Sequence, residues 1–313
     1  MSERTKVAVV GVGHLGSRHA RIYAESANAE LVGVADVDFA RARAVADSHG
    51  VRAVADYTEL IPQIDAATVA VPTVSHREVT AKLLEAGVHV LVEKPIASSL
   101  AEAREMVDLA RKRARVLAIG HTERHNPAVE ALLAGTRTPR FIEVHRLGSF
   151  SPRSLDIDVV LDLMIHDLDV VAALVGEEVS SLEAVGVPVL TGRVDIANAR
   201  LRFANGCVAN ITASRVSQEK IRKLRFFEPE RYVSLDYQKQ EAVSYRLVRS
   251  EGASPEIRRD DLEVVQDEPL RRELEDFLHA VATGGTPKVN GEGGLKALAL
   301  ALEVVDAMEK ARV

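Results

Sequence analysis

Up to about residue 120 the chain alternates short apolar runs with helical patterns. The runs at 7–10, 31–35, 67–71, 88–92 and 116–119 are β-rich and bounded by polar or glycine positions. Between them, 78–86 and 100–112 carry helical periodicity. Gly87 closes the first, and Ser99 with Glu102 forms a capping box for the second. Strand and helix in alternation predict a parallel, doubly wound sheet. Beyond residue 121 the texture changes. Asn126-Pro127 opens a short helix, 141–147 alternates as a strand, and 158–175 is a long helical pattern. Six β-type runs follow, at 182–187, 197–203, 207–214, 221–227, 232–236 and 242–248, with Asn205-Gly206 as a turn between two of them. Residues 252–261 read as an exposed loop, and 270–281 and 294–310 are helical again. The expectation is an α/β domain over 1–120, then an α+β domain over 121–313 on an open, mostly antiparallel sheet. The C-terminal helices are free to pack back on the first domain.

Ligands on a doubly wound sheet sit outside the carboxyl ends of its strands. Five segments occupy those ends: Gly11-Val12-Gly13, Asp36, Pro72-Thr73, Glu93-Lys94-Pro95 and Gly120-His121. The first belongs to Gly11-x-Gly13-x-x-Gly16, with His14 and Leu15 inside it, between a strand and a helix. Gly11 makes the tight turn, Gly13 lets a pyrophosphate approach the backbone, and Gly16 lets helix and strand pack closely. Asp36 ends the second strand, twenty residues after Gly16. A carboxylate there accepts hydrogen bonds from both ribose hydroxyls of an adenosine and repels a 2′-phosphate. The first domain therefore reads as a Rossmann domain for NAD, with NADP disfavoured, although Arg41 and Arg43 leave some room for it.

The pattern at 158–175 is apolar almost all round, so its helix belongs in a core. Yet Asp158, Asp162, His166 and Asp169 recur at spacings that share one face. A histidine beside a carboxylate suits general acid–base chemistry near neutral pH; an Asp–His pair that only satisfies itself is the alternative. One histidine without a second ligand cluster argues against a metal. Lys94, at a strand end beside Pro95, can exchange protons with a substrate hydroxyl. Arg215, Lys220, Arg222, Lys223 and Arg225 concentrate positive charge suited to a diphosphate, or form a solvated strand.

Composition bounds these readings. The 313 residues carry a net charge of −6, with 47% hydrophobic and 27% charged positions. That acidic balance gives no general attraction to nucleic acid. A single cysteine, Cys207, forms no internal disulfide. The start, MSERTK, is no signal segment, and no stretch is long and apolar enough for a membrane, so the cytoplasm is the expected compartment.

The glycine motif, Asp36, Pro72-Thr73-x-x-His76, Glu93-Lys94-Pro95 and Asp162-x-x-x-His166 occur in this order. Together they resemble the glucose–fructose oxidoreductase and inositol dehydrogenase family over essentially the whole chain. The resemblance implies NAD(P)-dependent oxidation of a sugar or cyclitol hydroxyl, with Lys94, Asp162 and His166 as the catalytic set. It also implies that His121 and Asn126 approach the nicotinamide or substrate, and that the open sheet makes a homo-oligomer. Where relatives often place glycines, this chain has Asp158 and Met164. The helix 158–175 with its Asp-Leu-Met-Ile-His-Asp core, together with 219–227 and 232–237, is similar to the branch that oxidises C3 of UDP-N-acetylglucosamine, and within the basic segment Arg222 is the residue expected on its diphosphate. In that branch an aminotransferase acts on the 3-keto product on the way to lipid A. An inositol or free-sugar dehydrogenase, a hydrolase using bound NAD, and a non-catalytic NAD sensor stay open as alternatives.

Overall fold

The computed structural model describes residues 4–135, 138–150, 157–249 and 254–310. The chain divides into two compact units, Met1–Thr122 with Glu268–Leu298, and Glu123–Asp267 with Ala299–Val313.

The first unit holds a six-stranded sheet of β1 (Thr5–Val10), β2 (Ala29–Ala35), β3 (Arg52–Val54), β4 (Ala66–Val69), β5 (His89–Glu93) and β6 (Leu117–Gly120). The strand order is β3-β2-β1-β4-β5-β6 and every pairing is parallel. Strands this short and this apolar are buried on both faces, as parallel sheets require. The connecting helices are α1 (Gly16–Glu25), α2 (Phe39–His49), α3 (His76–Glu85) and α4 (Leu100–Arg113). Ser99 Oγ accepts the Glu102 N–H at 3.3 Å, while the Glu102 carboxylate reaches the Ser98 N–H at 3.1 Å. Each bond satisfies a backbone donor at the start of α4.

Helices α5 (Pro127–Leu133) and α6 (Ile165–Val175) belong to the second unit. Its sheet has eight strands: β7 (Phe141–Leu147), β8 (Val179–Val187), β9 (Ile196–Phe203), β10 (Val208–Ser214), β11 (Ile221–Glu228), β12 (Arg231–Asp236), β13 (Glu241–Val248) and β14 (Glu256–Asp261). Their order is β14-β13-β12-β11-β7-β10-β9-β8, with β7 and β10 the one parallel pair. Ile142 and Val144 of β7, Ala209 and Ile211 of β10, and Leu224 and Phe226 of β11 alternate inward and are fully buried. The opposite face is only part-covered.

Strand β14 corrects the expected loop at 252–261. Its sequence, EIRRDD, has no apolar face, yet Val243↔Asp261 through Val248↔Glu256 pair in antiparallel register. Charge along an exposed edge strand blocks pairing with another chain, which explains a strand without a hydrophobic signature. Residues 252 and 253 lie outside the described residues.

Helix α7 (Pro269–Thr283) belongs to the first unit although it follows the second unit's sheet in sequence. Leu274, Phe277 and Leu278 pack with Val7, Val9, Ile22 and Tyr23. Truncating Phe277, fully buried there, would cost about 3–5 kcal/mol. Helix α8 (Gly291–Lys310) gives its first residues to that unit and its last to the other.

Candidate active site

In the first unit the glycine motif is fixed by backbone geometry. Gly11 has φ +86° and donates to Ala35 O at 2.8 Å; a Cβ there would stand 2.7 Å from the Ala70 backbone. A Cβ on Gly16 would fall 1.8 Å from Gly11 O, so only glycine lets α1 start this close to β1. Gly13 differs, since a Cβ there would meet nothing within 4 Å. Helix α1 has Leu15 as its N-cap, with no side-chain cap and no acid in its first turn, leaving the dipole end for an anion. Asp36 is nearly buried at the end of β2. Its carboxylate accepts Val12 N–H at 3.0 Å and Asp38 N–H at 2.9 Å, and Arg41 Nη1 approaches both oxygens at 3.3 Å. Arg43 lies instead 3.8 Å from Asp47. An open glycine face, an uncapped helix and an anchored carboxylate fit a dinucleotide.

Around β5 the side chains divide by direction. Glu93 is buried and its Oε1 meets His19 Nε2 of α1 at 2.9 Å. A Cβ on Gly120 would come 2.9 Å from Glu93 Oε2, so the glycine ending β6 makes room for the carboxylate. Burial works against the Glu93 charge, but His19 and the Lys94 ammonium outweigh it and hold the carboxyl below its ordinary range. Glu273 of α7 is buried close by, with its Oε2 accepting from Thr122 Oγ1 at 3.1 Å. Burial and the Glu93 charge push its pKa well above the ordinary value, so it carries its proton where Glu93 does not. His76 is a clamp: Nδ1 lies 2.9 Å from Pro95 O and Nε2 2.9 Å from Val71 O. Burial lowers its pKa, and a neutral ring donates to one of the two carbonyls. Lys94 is half-buried, joined to Pro95 by a cis peptide, and Pro72 and Thr73 begin the turn of 3-10 helix after β4. His14 and Leu15 are exposed and His121 is buried. Glu93 and His76, expected on the cofactor, are engaged with the protein itself.

In the second unit the long helical pattern opens with a π-helical turn at Val160–Met164, where the Ile165 N–H reaches back to Val160 O. Such turns are rare and frequent at functional sites. The wide turn breaks the even stripe expected from the sequence. Asp158 Oδ1 accepts Val194 N–H at 3.0 Å, and Asp169 is nearly buried against Arg124 at 3.3 Å. Asp162 and His166 remain half-buried.

Of the two readings of the basic segment, a single patch is not what forms. Arg215 is buried against Asp195 at 3.0 Å, Lys223 and Arg225 alternate to the outer face, near Asp236 and Glu143, and Lys220 is exposed. Arg222 alone shares the inner face with Leu224 and Phe226. It sits directly opposite Arg146 of β7 in the β7–β11 register. Arg146 is buried and fully engaged, with Nε and Nη2 on Asp167 at 2.7 and 2.9 Å and Nη1 on Glu123 at 2.9 Å. The Tyr237 ring lies under it, 5.1 Å from centroid to guanidinium carbon. Burial disfavours the Arg146 charge, but the two carboxylates hold its pKa well above the ordinary value. Burial pushes the Asp167 carboxyl up, against the pull of Arg146. Asn126 is spent on this network: Oδ1 caps α5 at Ala128 N, and Nδ2 donates to Tyr237 O at 3.0 Å and Glu123 at 3.3 Å.

Arg146, Asp167 and Glu123 escaped the sequence reading. The signal was present for two of them. Arg146 occupies an inward position two residues beyond Val144, and Asp167 falls off the face shared by His166 and Asp169, among the apolar positions of the helix. A charge at a core position needs a partner, and these two charges answer each other. Glu123 carries no such pattern.

The comparisons with known proteins agree with this architecture. Residues 5–121 match the model of an oxidoreductase family with an NAD-binding Rossmann fold, and residues 136–228 match the GFO/IDH/MocA C-terminal domain. The UDP-N-acetylglucosamine 3-dehydrogenase of Acidithiobacillus ferrooxidans is 40% identical, covering 97% of both chains. Its solved structure superposes with a TM-score of 0.92 over 99% of each chain, at 39% identity. A myo-inositol 2-dehydrogenase of Thermotoga maritima is more distant, at 28% identity over 98% of this chain and 97% of its own. Levoglucosan dehydrogenase, solved with NADH and levoglucosan, shares the fold at a TM-score of 0.87 and 20% identity, covering 98% of each chain. Two matched domains and a relative similar from end to end place this chain in the GFO/IDH/MocA family of NAD(P)-binding oxidoreductases.

Proposed function

We propose that this protein is an NAD-dependent dehydrogenase that oxidises the C3 hydroxyl of UDP-N-acetylglucosamine to the 3-keto sugar nucleotide. The observation that carries the substrate is the 40% identity, along 97% of both chains, to an enzyme of that name. Arg222 supports it chemically, as a half-buried guanidinium on the inner face of β11 whose donors make no hydrogen bond to a described residue. Guanidinium forks match phosphate oxygens bidentately.

Bound NAD supplies the acceptor for the hydride that leaves the sugar carbon. His166 takes the hydroxyl proton, with Asp162, four residues before it, orienting the ring. Lys94 exchanges protons with the same hydroxyl. These three roles rest on the match to the family motif. In the cofactor site Gly13 would face the pyrophosphate and Asp36 would accept from the ribose, which would favour NAD over NADP. Arg41 beside it is the residue that would accommodate a 2′-phosphate if the carboxylate were removed. Glu93 and His76 support the cofactor-side turns from beneath. Asn126 helps to hold the substrate side together.

A 3-keto sugar is an electrophile toward amines, so an aminotransferase is the class of enzyme that would consume it, in a route to lipid A. A dissolved nucleotide sugar and NAD suit a cytoplasmic enzyme, and the homo-oligomer rests on the family resemblance; among the described residues no helix is long and apolar enough to cross a membrane. The test is NADH formation by the purified chain with NAD, a keto-trapping amine and a panel of UDP-N-acetylglucosamine, its uronate, myo-inositol and glucose. NADH with UDP-N-acetylglucosamine alone is the expected result. NADH only with inositol or glucose would replace the substrate. Tight NAD binding without any turnover would favour a sensor, or a hydrolase that retains its cofactor.

A further inference from the structure

Two arginines directly opposite each other on the buried face of a sheet are an expensive choice. Like charges at facing positions of adjacent strands destabilise the pair, and both guanidinium groups lose water. Arg146 and Arg222 face each other in this way, and the two are treated unequally. Arg146 uses all three guanidinium nitrogens on Asp167 and Glu123. Arg222 has the Glu123 carboxylate at 3.9 Å and no hydrogen bond to a described residue, with its side chain 37% exposed. One arginine is locked and the other is held at arm's length by the same glutamate.

The locked arginine also reaches the other half of the substrate side. Asp167 directly follows His166 in the first turn of α6, immediately after the π-helical turn that carries Asp162. A bidentate clamp on Asp167 therefore fixes that turn against β7, while Nη1 fixes Glu123 beside Arg222. We propose that Arg146 is a positioning residue that sets both ends of the substrate site, the His166 turn through Asp167 and the Arg222 guanidinium through Glu123. In this arrangement Glu123 is a specificity-determining counter-charge. It keeps Arg222 available to an anionic group and competes with that group for it. The second half of the inference rests on the UDP-sugar reading of the substrate.

The test uses the full chain with NAD, measuring kcat and KM separately, with NAD affinity as the control. Asp167→Asn keeps the shape but weakens the clamp, so kcat should fall about tenfold or more while KM for UDP-N-acetylglucosamine moves little, because a small misplacement of a catalytic group is costly. Glu123→Gln removes the competing charge, so KM should fall about threefold or more at nearly constant kcat. A scaffold that merely loosens would move both constants together in both variants, and that result overturns the proposal, as does no change in either. If Asp167→Asn does not fold, Arg146→Lys, which keeps the charge without the fork, carries the same expectation for kcat. If the wild type oxidises only an uncharged sugar, the substrate reading fails and takes the Glu123 half with it, while the Asp167 half is measured on that sugar. If nothing turns over, calorimetry with UDP reads the Glu123 half, where tighter binding by Glu123→Gln supports it and unchanged or weaker binding overturns it.

Discussion

In the proposed function the two units would solve recognition with different materials. The first works with backbone: glycines without side chains at Gly11 and Gly16, an uncapped helix end at α1, and one carboxylate tied to the Val12 amide. The second works with side-chain charge on a buried sheet face, where Arg146 holds Asp167 and Glu123 and Arg222 stands 3.9 Å from Glu123. Backbone recognition suits a part that every dehydrogenase of this kind must bind alike. A network of charges can be retuned by single substitutions, which is where substrate choice would be expected to reside. The contrast also sets the energetics. A lost glycine in the first unit meets hard backbone atoms, whereas a lost charge in the second leaves another charge buried and unpaired.

The largest expected effect comes from Lys94→Ala, which should lower kcat by about 10²–10⁴ while NAD titrations stay unchanged. Retained activity would remove Lys94 from the chemistry. Next is Arg146→Met, which leaves Asp167 buried without its partner and should cost about 3–5 kcal/mol of stability in denaturant unfolding. A near-neutral result would mean that the network contributes little to the second unit.

These two residues also mark what could be read from the sequence. The place of Lys94 just past the end of β5 was legible, because it follows an apolar run in a motif confined to three consecutive residues. The parallel sheet was legible for the same reason, apart from β3, whose three residues are too few to carry a pattern. The charge network was not, because its members come from four separate segments and meet only through the strand register. The basic segment misled in the opposite direction. Five cations near one another in sequence go to different faces and partners once alternation along β11 and the ion pair of Arg215 are taken into account. The π-helical turn left no mark, since Val160, Leu161 and Met164 suit an α-helix equally well.

Gly13→Ala sharpens the contrast within the first unit. Its Cβ meets nothing within 4 Å, so thermal stability should change by no more than about 1 kcal/mol, the cost of neither a clash nor a cavity. NAD affinity should nonetheless fall about tenfold, because the added methyl occupies the approach of the pyrophosphate. Unchanged affinity would mean that the dinucleotide does not pass over this glycine. The smallest effect is expected from Glu273→Gln. The wild-type carboxyl is raised above its ordinary value of 4.5, so its contribution to stability is present below that pH and is lost as pH rises through the folded value. Melts from about pH 5 to pH 8 should therefore show the wild type losing stability relative to the variant as pH rises. Parallel curves would mean that Glu273 ionises in the fold as it does in water.

The division of labour itself is tested most directly by Arg222→Ala, read as two numbers on one purified protein: KM for UDP-N-acetylglucosamine and the dissociation constant for NAD. Loss of a charge-assisted contact worth about 1.5–3 kcal/mol predicts a KM higher by about tenfold to a hundredfold with NAD binding untouched. An unchanged KM, or a loss of NAD affinity of the same size, would contradict the assignment of substrate charge to the second unit.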